Sequence, residues 1–128
     1  MERREQVIRL WFDMWLENED KGIKDLFAPD CLYIESWGPK YMGAEAVKRW
    51  FNDWNEHGRV LVWDIKQYIH SGRQTLVEWY FKCTMDKSGT DAFDGVSIIE
   101  WDERCRMKYL KEFGCKLPNY EPYGEKEN

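Results

Sequence analysis

The sequence lacks several features that would identify a common function. Lys and Arg number 19 against 24 Asp and Glu, a net charge of −5, and no basic cluster exists beyond Arg3 and Arg4. Phosphate binding needs a concentrated positive surface, so we expect no nucleic-acid partner. No run approaches the roughly 20 apolar residues of a membrane helix, and the first residues form no apolar signal segment. We therefore expect a cytoplasmic protein without a membrane partner.

Metal-binding and redox patterns are also missing. Only two histidines, His57 and His70, are available for a zinc site, and we expect both to be solvated or capping residues. The cysteines lack CxxC spacing and are predicted to be reduced and mostly buried; they are Cys31, Cys83, Cys105 and Cys115. Glycine-rich phosphate loops, nucleophile elbows and Cys–His pairs are absent. The sequence predicts neither a metal nor an organic cofactor.

Aromatic residues, by contrast, are abundant. Trp (8), Tyr (7) and Phe (6) make up 16% of a chain of 128 residues, which is long enough for one domain with a substantial core. Such side chains either fill a core or line a concave site for an apolar ligand. The excess favours a pocket that binds a small apolar molecule, and a plain tryptophan-rich core is the alternative.

Apolar periodicity predicts three helices in the first half of the chain. They cover residues 3–18, a short segment at 23–27 and a segment from Ala44 to about residue 57. Pro29 follows the second helix and Gly58 follows the third, and both residues are typical of helix ends. Between these two helices, residues 31–35 are predicted to form a strand that ends at Glu35, followed by an irregular loop to Gly43.

The second half of the chain changes to period two, which predicts strands. Four segments alternate apolar and polar side chains, at residues 59–70, 75–84, 93–101 and 105–114. Short turns separate them, so they form an antiparallel meander. Helices followed by strands indicate an α+β fold with the three N-terminal helices packed on one face of the sheet. We expect residues 1–115 to form one domain and residues 116–128 an extended tail with a mobile end.

Several segments resemble the SnoaL-like proteins of the nuclear transport factor 2-like superfamily. They are Asp25–Cys31, Tyr41–Val47, Glu78–Phe81, Phe93–Ile99 and Leu110–Phe113, and the resemblance extends over residues 5 to about 115. It implies a cone-shaped, cystatin-like fold in which a strongly curved, mainly antiparallel sheet wraps around the third helix and encloses a pocket. The superfamily includes isomerases, cyclases, dehydratases and non-catalytic binding domains, so the fold does not decide the function.

Glu35 is the main candidate for catalysis. A carboxylate at the end of a strand, beside an aromatic pocket, loses hydration, and this raises its pKa toward the range of a general base. The ketosteroid isomerases belong to this superfamily and illustrate such pKa tuning. When this sequence is aligned with their pattern, Glu35 falls at the position of their catalytic base. The alternative is a carboxylate at the rim, facing water or paired with Lys40 or Arg49.

The same resemblance implies partners for Glu35. The tyrosine and the protonated aspartic acid that bind the developing oxyanion fall at Trp11 and near Ser97, and a pocket phenylalanine falls at Phe113. Since an indole and a hydroxyl are weaker donors, ketosteroid isomerisation is not expected, while another α-proton abstraction that uses Glu35 and Ser97 remains open.

Strand parity places Tyr109, Lys111 and Phe113 on the pocket face and Glu112 on the outer face. A buried lysine needs a partner, and Glu35 is the expected partner of Lys111. A bulge would reverse the parity and leave Lys111 solvated.

The other candidate pocket residues are aromatic: Trp15, Tyr33, Trp37, Tyr41, Trp50, Trp54, Trp63, Trp79, Phe81 and Phe93. Those with helix or strand spacing are equally typical of a core. Trp37 and Tyr41 differ because they lie in the irregular loop beside Glu35, and we expect them to form a lid.

The outer face of the sheet predicts a homodimer. Its apolar side chains would leave a large patch exposed in a monomer: Leu76, Tyr80, Val96, Ile98 and Leu110. Glu78 and Asp94 share this face. If alternation failed at Gly95, Asp94 would become a pocket acid instead.

Two hypotheses follow for the function. The first is a cofactor-independent isomerase, cyclase or dehydratase that acts on a small carbonyl compound, with Glu35 as the acid or base. It requires a hydrogen-bond donor across the pocket, from Trp11, Ser97, Tyr33 or Tyr109, and a structure that directs none of them into the pocket would contradict it. The second is a non-catalytic small-molecule-binding domain or a dimeric interaction domain.

Overall fold

The computed structural model describes residues 2–124. Within this range the helices are α1 (Arg3–Glu17), α2 (Ile23–Leu26) and α3 (Ala44–Asn55). The strands are β1 (Phe27–Ile34), β2 (Lys40–Met42), β3 (Gly58–Ser71), β4 (Gln74–Met85), β5 (Gly89–Trp101) and β6 (Met107–Lys116). The predicted α+β class and the order of elements are confirmed. The exception is β2, which lies in the segment that we expected to be an irregular loop.

The strands form one curved, mixed sheet in the order β2-β1-β6-β5-β4-β3. β3 to β6 pair antiparallel with their neighbours in sequence, which is the predicted meander. β1 pairs with β6 in parallel, and β2 pairs antiparallel with β1 at the edge of the sheet. α1 contacts β3 and α3 contacts β1, so the helices lie on one face of the sheet.

β1 begins four residues earlier than the alternation predicted, at Phe27 instead of Cys31. The strand therefore contains Pro29, a residue that we expected only to end α2. Proline has no N–H for a ladder hydrogen bond. It is tolerated here because the pairing of β1 with β6 is interrupted between Phe27 and Leu32.

β6 contains a bulge that changes which of its side chains face the helices. Glu100 of β5 pairs with Tyr109, but the next residue, Trp101, pairs with Met107, so Lys108 is an extra residue on β6. A bulge of this kind puts two residues on one strand opposite one on its partner and reverses the alternation beyond it. From Leu110 onward, the inward positions are therefore even-numbered.

The closed end of the sheet is filled by a tightly packed core. The ring of Trp11, on the buried stripe of α1, packs edge-on against Phe27 there, with centroids 4.9 Å apart. Phe27 pairs with Met107, which pairs in turn with Trp101, and these side chains are at most 1% exposed. We call this group, Trp11, Phe27, Trp101 and Met107, the closed end.

The outer face of the sheet differs from the prediction at β6. Leu76, Tyr80, Val96 and Ile98 lie there and are partly exposed, while Leu110 is buried on the inner face. Phe113 takes an outer position and is 46% exposed. Alternation holds at Gly95, and Asp94 bonds to Lys66 on the outer face, 3.1 Å away. The homodimer stays a prediction.

The remaining expectations concern the chain end, the cysteines and membranes. Residues 117–124 contain no helix or strand, and residues 125–128, where we predicted a mobile end, lie outside the described residues. All four cysteines are free; Cys31 and Cys83 are buried, Cys105 is partly buried and Cys115 is exposed. No helix within residues 2–124 is both long enough and apolar enough to span a membrane.

A candidate active site with two buried carboxyl groups

A cavity of about 370 Å³ opens at the end of the sheet where β1, β4 and β6 finish. We call this the cavity end. Tryptophans dominate its lining, from α1, the loop after β1, α3, β3 and β4: Trp15, Trp37, Trp50, Trp54, Trp63 and Trp79. Phe81 and Phe93 complete the aromatic wall. The inner face of the sheet and the apolar side of α3 do not pack directly against each other here, and the cavity is the space between them.

The aromatic rings of this wall stand at steep angles to one another. The rings of Trp15 and Trp54 have centroids 5.3 Å apart and planes 77° apart, and those of Trp63 and Trp79 are 6.0 Å and 86° apart. Edge-to-face contacts of this kind are favourable because the positive ring edge meets the negative face.

Glu35 lies in this wall directly after β1. The residue is 6% exposed, and its carboxyl group accepts a hydrogen bond from the Tyr41 hydroxyl at 2.6 Å. Burial raises the pKa of Glu35, and the bond from Tyr41 offsets part of that rise. No ion pair to Lys40 or Arg49 forms; Arg49 lies instead 3.9 Å from Asp53.

Glu112 lies beside Glu35 and is the residue that sequence alternation misplaced. β1 and β6 pair Ile34 with Lys111, so the next step of the parallel register sets Glu35 next to Glu112. Glu112 is 8% exposed, lines the cavity and accepts a 2.5 Å hydrogen bond from Tyr33. We predicted it on the outer face, and that prediction was wrong because of the bulge at Lys108.

The two carboxyl groups differ in acidity. Burial raises the pKa of Glu112 to about 8, with the charge of Glu35 contributing to the rise and the bond from Tyr33 opposing it. Glu35 shows the smaller rise, so it ionises first. Like charges at close range oppose each other's ionisation. Glu112 therefore keeps its proton to a higher pH than Glu35 does.

None of the four donors expected opposite Glu35 lines the cavity. Trp11 is buried at the closed end and near the Tyr33 hydroxyl without a well-aligned hydrogen bond. Ser97 is buried and accepts the indole N–H of Trp79 at 3.0 Å. The Tyr33 hydroxyl is engaged by Glu112, and Tyr109 is outside. The four donors therefore do not have the positions that we expected, and Glu112 is the candidate donor that the sequence did not indicate.

The predicted pocket positions of Tyr109, Lys111 and Phe113 were wrong for the same reason as that of Glu112. All three follow the bulge and lie on the outer face, where the Lys111 ammonium is 5.2 Å from the centre of the Phe113 ring. The predicted ion pair of Lys111 with Glu35 therefore does not form. A signal existed in the sequence: Met107 and Leu110 are both apolar but three residues apart, so an unbroken strand cannot bury both.

The two residues expected to form a lid have different positions. Trp37 is 60% exposed in the loop and contacts Phe93 at the cavity opening, with ring centroids 5.9 Å apart. Tyr41 belongs to β2 and does not line the cavity. Its ring stacks on Trp50, with centroids 4.5 Å apart and planes 12° apart, and this stacking orients the hydroxyl that binds Glu35.

One group of side chains elsewhere has the composition of a metal site. Glu2, Glu5 and His70 lie together where α1 begins and β3 ends. His70 is partly buried between Glu5 and Thr75, at 2.9 and 2.7 Å, where we expected a solvated or capping residue. The group lies outside the cavity lining, so it contributes nothing to the site described here.

The fold and the site together define a cone-shaped α+β domain with an aromatic cavity and two carboxyl groups in its wall. The chain belongs to the family of SnoaL-like domains, whose family model matches residues 8–107. No curated protein sequence matches the chain.

Solved structures share this fold at low sequence identity. A protein described as a SnoaL-like polyketide cyclase from Mesorhizobium loti is 17% identical, with a TM-score of 0.68 over 85% of this chain and 97% of its own. An epoxide hydrolase of Mycobacterium tuberculosis gives 0.76 at 10% identity, over 88% and 82%. A Catenulispora acidiphila protein with a ketosteroid isomerase-like fold, in complex with trimethylamine, gives 0.71 at 14%, over 84% and 83%. These likenesses show the fold.

Proposed function

We propose that the cavity binds a small molecule and that Glu35 and Glu112 transfer protons to and from it, as a cofactor-independent isomerase, cyclase or dehydratase. The observation that carries this proposal is the pair of adjacent, buried carboxyl groups with unequal acidity. Burying a carboxyl group costs free energy. Each one here faces a cavity that a packed core would have filled, so the cost is not needed for folding.

The proposed chemistry divides the two roles by protonation state. Glu35, as carboxylate, takes a proton from the carbon next to a carbonyl group. Glu112, as acid, gives its proton to the carbonyl oxygen, so that the substrate becomes an enol and the total number of protons is unchanged. Glu35 then gives its proton to a different carbon while the enol oxygen returns its proton to Glu112, which gives the isomer and restores both groups. Since Tyr33 donates to Oε2 of Glu112, Oε1 is the oxygen that carries the proton in the proposed reaction.

Hydrogen–deuterium exchange tests this proposal without knowledge of the natural substrate. Small cyclic ketones such as cyclohexenone that raise the melting temperature would be incubated with the protein in D₂O, and deuterium incorporation followed by NMR. We expect exchange by the wild type and a loss of roughly 100-fold or more in Glu35→Gln. The rate should be greatest at a pH between the two pKa values, since Glu35 must be ionised and Glu112 protonated.

Glu78→Gln is the matched control, because Glu78 lies on the outer face of β4 and already bonds to Gln67 there. It should exchange at the wild-type rate. If every ketone that binds fails to exchange, or if Glu35→Gln exchanges as fast as the control, the catalytic proposal is wrong.

Binding without turnover is the second candidate function. The observation that favours it is that each carboxyl group already accepts a tyrosine hydroxyl, Tyr41 on Glu35 and Tyr33 on Glu112. Such bonds stabilise the apo site and leave fewer acceptors for a substrate. This candidate would be favoured if ligands raised the melting temperature equally in the wild type, Glu35→Gln and Glu78→Gln, without deuterium exchange in any of them.

A further inference from the structure

The cavity combines aromatic walls with acidic groups. Glu35, Asp91 and Glu112 are its acidic lining residues, and no Lys, Arg or His between residues 2 and 124 lines it. Asp91 pairs with Lys116 at 3.2 Å, and Lys116 is itself mostly exposed, outside the lining. An acidic lining without a basic residue favours a positively charged ligand over a negative one.

The aromatic walls suit a cation as well. The face of tryptophan is the aromatic surface that attracts cations most strongly. Trp15 stands at 77° to Trp54 and at 71° to Trp63, with centroids 5.3 and 6.3 Å apart. Trp79 continues the wall at 86° to Trp63. These tryptophans come from α1, α3, β3 and β4 and all line the cavity, so indole rings border it on several sides, as they do in the aromatic sites that hold methylated ammonium groups.

We propose that the ligand of this cavity carries a tertiary or quaternary alkylammonium group, held by the tryptophan wall and the Glu35 carboxylate. This inference rests on the proposed function, since it names the class of molecule that occupies the same cavity. An alkylated ammonium presents apolar methyl groups with a diffuse positive charge and needs few hydrogen-bond acceptors. A primary ammonium needs three, and one oxygen of each carboxyl group already accepts a tyrosine hydroxyl.

A cation in this position links binding to protonation. The titratable groups around the carboxyl pair are Tyr33 on β1, Tyr41 on β2, Cys83 on β4 and Asp91 on β5, while α1 and α3 contribute tryptophans to the lining. A bound positive charge favours the ionised form of both Glu35 and Glu112. Binding therefore releases protons, and the affinity for a cation rises with pH until both groups are ionised.

Choline and its neutral isostere dimethylbutanol, which has a quaternary carbon in place of the nitrogen, separate charge from shape. Binding would be followed by tryptophan fluorescence and calorimetry at several pH values between 6 and 9. We expect choline to bind about tenfold more tightly than the alcohol. This preference should grow with pH and should fall severalfold in Glu35→Gln, while Glu78→Gln keeps it.

A second variant guards against a folding defect in Glu35→Gln. Trp54 is only partly buried in the wall, and Trp54→Leu should weaken choline binding more than alcohol binding. Equal or tighter binding of the alcohol, an unchanged preference in both variants, or failure of choline to bind would each overturn the assignment. The ketone exchange experiment is independent of these results, so the failure of the ammonium assignment and that of the catalytic proposal are distinguishable.

Discussion

The closed end and the cavity end of the sheet use tryptophan in opposite ways. At the closed end Trp101 is 1% exposed, and its indole N–H donates to the hydroxyl of Thr75 at 2.9 Å. At the cavity end Trp50 and Trp54 are only partly buried and face open space. The only buried carboxyl groups among residues 2–124, Glu35 and Glu112, lie at the cavity end.

The difference shows that aromatic content does not by itself distinguish core from pocket. Both ends contain tryptophans at helix and strand spacing, and both belong to the same sheet. At the closed end complementary side chains fill the space, which stabilises the fold. At the cavity end the wall is aromatic but the space is unfilled, and buried polar groups add a cost in free energy. The closed end supplies the stability that the cavity end lacks.

The largest expected effect comes from removing one tryptophan at each end. Trp101→Ala should lower the free energy of unfolding by about 3–5 kcal/mol, because it leaves a cavity in a packed core and removes one of the two side-chain hydrogen bonds of the buried Thr75 hydroxyl. Trp54→Ala should lower it by only about 1–2 kcal/mol, since that ring already borders open space. Urea denaturation followed by circular dichroism measures both values.

Equal losses of stability in the two tryptophan variants would contradict the comparison. Such a result would mean that the cavity wall is as much a part of the packed core as the closed end is.

The second effect is on the pH dependence of stability. Glu112 has an ordinary pKa of 4.5 in the unfolded chain and about 8 in the folded one. Between these values the folded protein keeps a proton that the unfolded chain has lost, so stability falls as pH rises, by about 1.4 kcal/mol per pH unit, and levels off above about pH 8. Urea midpoints between pH 5 and 9 measure this slope, which should be much smaller in Glu112→Gln.

Glu35 shifts in the same direction, so a small slope should remain in the Glu112→Gln variant. Glu78→Gln, on the outer face, should retain the full wild-type slope. The comparison fails if Glu112→Gln and Glu78→Gln have the same pH dependence.

The smallest effect concerns the tyrosine that binds Glu35. Tyr41→Phe keeps the ring that stacks on Trp50 and removes only the hydroxyl. Since that hydrogen bond lowers the pKa of Glu35, the variant should show a higher pKa for Glu35 and a stability loss of about 1 kcal/mol or less. Carbon NMR of the Glu35 carboxyl group measures the change, and an unaltered pKa would show that the bond does not act on Glu35.

Most of the fold could be predicted from the sequence because its signals are local. The stripe of α1 and the alternation of β4 and β5 depend on side-chain period alone, and the chain follows both. The short strand β2 has no period that three residues could reveal. It forms because β1 offers an edge, with Leu32 to Ile34 pairing with it, and such pairing depends on tertiary structure.

The candidate site was less predictable because it depends on register. Glu35 and the aromatic wall could be predicted, since a strand end and a helix stripe fix their positions. The extra residue Lys108 puts Glu112 on the inner face of β6 and Lys111 on the outer face, the reverse of the predicted positions. The alternation of β6 does not show this shift directly. One bulge therefore decided which charged residue faces the cavity.

Carbon NMR titration of Glu35 and Glu112 in the wild-type protein tests the central claim most directly. We expect Glu112 to titrate near pH 8 and Glu35 below it, with both above the ordinary value of 4.5. This result would place one carboxylate and one carboxylic acid side by side at neutral pH. Titration of both groups near 4.5 would contradict the account, because the two side chains would then be a pair of ordinary carboxylates.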